Sequence, residues 1–180
     1  MKIKVLDFQN KEHFNFLNYL INYNSIEFLN DNLDGQTLIN LLSGGDYPVF
    51  IVYVKNQPYG IIYAELSTCK IATLHACCGK ERNYFINVNI MKKFLQYLFE
   101  TLKLAKVKIE ILVYDKNAEF LARSLGFRKE GVLREEVYKK GKAQNMILLA
   151  LTKKDYFAGK HILKRKDIKR IGELIRYGEK

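Results

Sequence analysis

A chain of 180 residues is the size of one domain. Its 48% hydrophobic and 27% charged residues exclude a disordered tract, a collagen-like repeat and a bare coiled coil. Thirty Lys and Arg against nineteen Asp and Glu give a net charge of +11, which favours anionic partners without bearing on the fold. The longest apolar runs, such as Met146 to Leu151, are far below the ~18 residues of a membrane span, so no membrane association is expected. The alternating Lys2, Ile3, Lys4, Val5 ahead of Asp7 does not read as a signal peptide, and a cytoplasmic location follows as the expectation. Three cysteines, Cys69, Cys77 and Cys78, are an odd number with two adjacent, so no disulfide framework is implied. The three isolated histidines give no metal-ligand spacing.

Residues 2–8 alternate polar and apolar side chains as a half-buried strand does. Phe14, Leu17, Leu20 and Ile21 recur at helical spacing over 11–23, and 26–42 offers a second amphipathic stretch interrupted at Asp34 and Gly35. The β-branched and aromatic run Val49–Val54 predicts a strand, followed by a tight turn at Asn56-Gln57-Pro58. Strands at 59–66 and 70–77 complete an antiparallel meander. Met91, Phe94, Leu95, Leu98 and Leu102 then predict the strongest helix of the chain, with Lys92, Lys93, Gln96, Glu100 and Lys103 on its other face. Val107, Ile109, Ile111 and Val113 alternate with Lys106, Lys108 and Glu110 in a strand leading to a short helix that stops at Gly126, a βαβ arrangement. A last hairpin, 131–138 with 145–151, closes a domain of residues 1–152. Residues 153–180 carry +6 of the net charge and predict an appended basic helix with Ile168, Ile171, Leu174 and Ile175 on one face. That helix reads either as docked by its apolar stripe or as an arm for nucleic acid or an acidic partner.

The string Leu121-Ala122-Arg123-Ser124-Leu125-Gly126-Phe127-Arg128-Lys129-Glu130-Gly131-Val132-Leu133-Arg134 resembles a characteristic stretch of the GNAT acyltransferase superfamily, in its ribosomal-protein N-terminal acetyltransferase branch. The likeness runs well over 84–154, and by element order over the first 83 residues. It implies a mixed α/β (α+β) fold with a mostly antiparallel central sheet flanked by helices. Physically, Gly126 sits past a helix end where a positive φ is wanted, and Phe127 fills the core behind it.

The resemblance implies acetyl-coenzyme A as cosubstrate, its pyrophosphate held by the loop between the fourth strand and the long helix. A helix N-terminus suits that task, because its first N–H groups are unpaired and carry the positive end of the dipole. The corresponding stretch is 78–87, and the residues implied at the cofactor are Cys77, Cys78, Gly79, Lys80, Arg82, Asn83, Asn87, Asp115 and Asn117. Arg82 matches the family's basic residue, whereas Phe85 and Asn87 stand where it has glycines, so Lys80 and Arg82 would serve as side-chain phosphate donors. At the two helix positions from which relatives protonate the leaving thiolate, this chain has Ala118 and Ala122.

Glu65 and His75 are the candidates for the base that takes a proton from an amine, with Glu81 a third in the loop. An α-amine, with a pKa of about 7.7–8.0, needs less help than a lysine at about 10.4. A site poor in acid and base therefore favours a protein N-terminus among amine-bearing peptides and small molecules. The alternative to an N-acetyltransferase is a catalytically degenerate module of the same fold, contacting nucleic acid or an acidic partner through its basic tail. Nothing in the chain sets an oligomeric state.

Overall fold

The computed structural model describes residues 1–22, 35–44, 48–79, 83–139 and 141–159. Strand β1 (Lys2–Val5) is followed by helices α1 (Lys11–Asn22) and α2 (Gly35–Gly44), then by the meander β2 (Val49–Val54), β3 (Gln57–Thr68) and β4 (Ile71–Cys78). Helix α3 (Tyr84–Gln96) runs into a π-helical turn, Tyr97–Thr101, before β5 (Lys106–Leu112), α4 (Lys116–Ser124), β6 (Arg128–Lys139), β7 (Lys142–Thr152) and α5 (Lys153–Ala158). The strands form one sheet in the order β1-β2-β3-β4-β5-β7-β6. Among the described residues, only the β4–β5 pair is parallel. The element order expected from the sequence is the order observed, with the central sheet mostly antiparallel.

Alternation along the strands sorts the core into two layers. Val52, Ile62, Ala72, Leu74, Val107, Ile109, Ile111, Ile147, Leu149 and Leu151 turn to one face and meet α3 and α4. Val49, Ile51, Tyr53 and Ile61 turn to the other, under Phe16, Leu17 and Leu20 of α1 and Ile39 and Leu42 of α2. This second layer covers β2 to β4 and takes no residue from β5 to β7. Among the described residues, no helix is long and apolar enough to cross a membrane.

Local chemistry moves several boundaries. The β2–β3 turn is Lys55-Asn56, both at positive φ (50° and 63°), rather than Asn56 to Pro58. A two-residue turn of this hand matches the strand twist, and Pro58 is taken into β3 beside a bulge. In the long helix, Met91, Phe94, Leu95 and Leu98 are buried as expected, but Leu102 is 42% exposed and Phe99 takes its place at 0%. The extra residue of a π turn advances the buried stripe out of its three-to-four spacing, and the helix ends at Leu102. Gly126 has φ 95°, and Phe127 is buried behind it. The last hairpin is longer at both ends than its alternation suggested.

Of the expected second helix, 26–42, only the part from Gly35 lies within the described residues. Of the basic tail, α5 is seen. Thr152 caps it, Gly159 ends it in the left-handed conformation, and Tyr156 stacks on Phe99 with ring centroids 4.7 Å apart. The apolar stripe from Ile168 onward lies outside the described residues.

Candidate active site

Strands β4 and β5 pair at only three positions, Ile71 with Lys106, Ala72 with Val107 and Thr73 with Lys108. Beyond these pairs each strand keeps its antiparallel neighbour, β3 for β4 and β7 for β5, but not the other. The sheet therefore opens toward the C-terminal ends of two parallel strands. Chains leaving such ends enter helices, so the N-termini of α3 and α4 both follow the opening; ligands favour this position in open α/β sheets. Tyr84 at the start of α3 ties the two helices together: its hydroxyl donates to Ser124 Oγ (2.7 Å), and its ring stacks on Phe120 (5.4 Å).

The next residues on the face away from α3 are His75 on β4 and Glu110 on β5, each two positions past the last pair. Extension of the register sets them opposite each other across the opening. The His75 ring stacks on Tyr63 (4.7 Å, 13° between planes), and its Nε2 is buried without a hydrogen bond, with Glu65 Oε2 3.7 Å away. Burial holds the imidazole below its usual pKa against the opposing pull of Glu65, so it is neutral at pH 7. Burial also pushes the Glu110 carboxyl up, and Glu136 and Glu65 push it further, with Lys108 pulling the other way. Glu65 thus links the two sides of the mouth, beside His75 on β4 and within the field of Glu110 on β5, which Glu136 of β6 also reaches.

Glu110 and Glu136 were not among the sequence candidates. Glu110 continues the alternation of Lys106 and Lys108 and reads as solvated. Only the end of β4–β5 pairing puts it at the opening, on the strand across from His75. Glu136 lies on β6 in an irregular stretch between Leu133 and Val137, where Glu135 adopts φ 54° and donates its N–H to Asn145 Oδ1 (2.9 Å). Asn145 thereby holds the bulge next to a carboxylate.

On the helix side, Asn83 caps α3 by accepting from the Ile86 N–H (3.1 Å), and its carbonyl accepts the first helical bond, from Asn87 (2.9 Å). The amides of Tyr84 and Phe85 precede that bond and have no acceptor within the helix. Of the two side chains that stand where the resemblance has glycines, Asn87 is turned into the protein and Phe85 stays at the surface. Phe85, 45% exposed, sets its ring edge-on to Tyr84 (5.7 Å). Asn87 accepts from the Tyr59 hydroxyl (2.8 Å), with its Nδ2 4.0 Å from Cys78 Sγ. The opening, the two helix starts and the uncommitted amides fit a phosphate-bearing thioester.

Cys77 and Cys78 end β4 at this opening, with Cys77 packed against the α1 layer. Gly79 follows them beneath Tyr19, where an added Cβ would lie 2.9 Å from the ring. Asp115 caps α4 by accepting from the Ala118 N–H (2.9 Å), which commits its carboxylate, and Asn117 is exposed on the first turn. Lys80, Glu81 and Arg82 lie outside the described residues. Among the described residues no cluster of metal-ligating side chains occurs, and no disulfide joins the three cysteines.

No family model matches the chain, and no curated protein sequence does. Solved structures do. The spermidine N-acetyltransferase of Vibrio cholerae, in complex with CoA and spermine, superposes with a TM-score of 0.73 at 19% identity, covering 87% of this chain and 97% of its own. A putative phosphinothricin N-acetyltransferase gives 0.69 at 15% identity, with 84% and 97% covered. The ribosomal-protein-alanine N-acetyltransferase of Brucella melitensis gives 0.69 at 14%, with 84% and 99% covered. At such identities the likeness is one of fold.

Proposed function

We propose that this chain, which has the fold of the GNAT N-acetyltransferases, transfers an acetyl group from acetyl-CoA to a primary amine on a peptide or small molecule. The observation that carries the reading is the opening between β4 and β5, with Glu110 and His75 on its two sides. Acetyl-CoA, when bound, supplies a thioester carbonyl and a thiol leaving group. The α3 amides of Tyr84 and Phe85, with Lys80 and Arg82 from the preceding loop, would hold its phosphates.

Glu65, Glu110 and Glu136 attract a protonated amine into a protein that is otherwise strongly basic. Glu110 then takes a proton from the acceptor nitrogen. A carboxylate whose pKa is raised is the better base. Neutral His75 offers Nε2 to orient the nitrogen. With such a base available, the preference for α-amines inferred from a scarcity of bases loses its premise, and the acceptor is set by fit.

Calorimetry of acetyl-CoA against the wild type and Arg82→Ala, followed by an amine-dependent assay of CoA thiol release, tests the proposal. The assay compares a peptide with a free N-terminus, a lysine side chain and a polyamine. Micromolar binding weakened by Arg82→Ala, with turnover on at least one amine, supports the reading. Absence of binding by the wild type refutes it.

A further inference from the structure

The chain leaves β4 at Gly79 and enters α3 at Asn83, and one residue of the neighbouring strand bonds to both. The Tyr59 carbonyl accepts from the Gly79 N–H (3.0 Å), and the Tyr59 hydroxyl accepts from the Asn83 N–H (3.0 Å). The same hydroxyl donates its proton to Asn87 Oδ1 (2.8 Å), one turn into α3. The far side of the Asn87 amide approaches Cys78 (4.0 Å), the last residue of β4. From these bonds we infer that Tyr59 is the positioning residue of the phosphate site at the start of α3, fixing its first amides through side chains where a glycine-containing loop would follow the phosphate by backbone freedom. The inference rests on the acyl-donor reading above and adds the residue that sets the donor's affinity.

The physical argument is one of direction. A phosphate site made of backbone amides works only if the peptide planes are oriented before the anion arrives; otherwise binding has to order them. Asn83 is the residue whose φ and ψ set the direction of the first α3 amides, and its own N–H is pinned by the phenol. Asn87 is thereby a bonding partner of β3, so its side chain is turned away from phosphate duty. The hydroxyl both accepts and donates, which only tyrosine supplies on this aromatic frame. Phenylalanine keeps the ring and removes both bonds.

The test is isothermal titration of coenzyme A, and of adenosine 3′,5′-bisphosphate as its phosphate-bearing fragment, into the wild type, Tyr59→Phe and Asn87→Ala. Two hydrogen bonds lost together should weaken both ligands about tenfold in Tyr59→Phe. KM for acetyl-CoA should rise by the same factor while kcat moves less than twofold. The double variant should bind little worse than either single one, because both changes break the same bond. Hydrogen exchange at the Asn83 amide should accelerate in both single variants. Unchanged affinity in Tyr59→Phe overturns the inference, as does a loss in kcat at constant KM. If Tyr59→Phe lowers the melting temperature too far to titrate, Asn87→Ala reads the same clamp from the α3 side. Failure of the wild type to bind coenzyme A overturns the acyl-donor reading together with this one, and is told apart because every variant then behaves as the wild type does.

Discussion

Replacing Glu110 by Gln keeps the shape of the side chain and removes its charge. In the folded protein that charge is partly buried and faces Glu65 and Glu136, with Lys108 only partly offsetting them. The substitution should therefore leave the melting temperature unchanged or slightly higher while activity falls, a sign combination that a structural residue does not give. General-base catalysis contributes about 10²- to 10⁴-fold. An α-amine is already partly neutral near pH 8, so its loss should lie at the lower end, about a hundredfold in kcat/KM or ~2.7 kcal/mol of barrier. A lysine-like amine depends more on the base and should lose more. The pH profile gives a second check. Because the pKa of Glu110 is raised, kcat/KM should climb with pH along a limb above the ordinary carboxylate range. Glu65→Gln removes a repelling charge and should move that limb down, whereas Lys108→Ala should move it up. The same raised pKa means that the stability contributed by protonated Glu110 is present at low pH and lost as pH rises through its folded value, a slope the Gln variant should lack. A kcat/KM within threefold of wild type, or a melting temperature lowered by more than about 3 °C, would refute the assignment.

Three further outcomes are expected. Phe99→Ala empties a fully buried site stacked under Tyr156, costing about 3–5 kcal/mol, so thermal unfolding should begin many degrees lower; a shift under 2 °C contradicts the packing described. For His75, whose pKa is depressed by burial, stability present above the unfolded value near 6.5 is lost as pH falls toward the folded one. The urea midpoint should therefore drop more between pH 7.5 and 5.5 in the wild type than in His75→Gln, and equal drops would count against a buried neutral imidazole. Gly60→Ala would drive a Cβ into the Cys77 carbonyl oxygen and to 3.1 Å from Cys78 Cα, forcing β3 from β4. A loss of about 1–3 kcal/mol in chemical denaturation is expected there, and a neutral result contradicts that close approach.

The fold was legible because its signals are local. Alternation in Lys106 to Leu112, helical spacing in Met91 to Leu98 and the stop at Gly126 each depend on a few neighbouring residues, and the structure keeps all three. The phase slip that exposes Leu102 was not legible, since the residue buried instead, Phe99, packs on Tyr156, more than fifty positions along the chain. The site was legible only where it is contiguous. His75 and Glu65 are cross-strand neighbours within a meander, and both were picked out. Glu110 became a candidate only once β4 and β5 were seen to part, a property of two strands separated by a helix. The glycine positions show the same limit: Asn87 reads from sequence only as a missing glycine, because its partner Tyr59 lies 28 residues earlier.

The three-residue pairing of β4 with β5 also bears on how the molecule unfolds. Across that line the main-chain ladder is nearly broken, and the sheet is two half-sheets meeting at a short hinge. The side-chain layer beneath α3 is not broken: Val52, Ile62 and Leu74 from one half and Val107, Ile109 and Ile147 from the other belong to one cluster. Cooperativity between the halves therefore travels through the helix rather than through the strands. Wounds to the α3 layer should uncouple the melting of the two halves, whereas cuts elsewhere in the sheet should lower it as a unit.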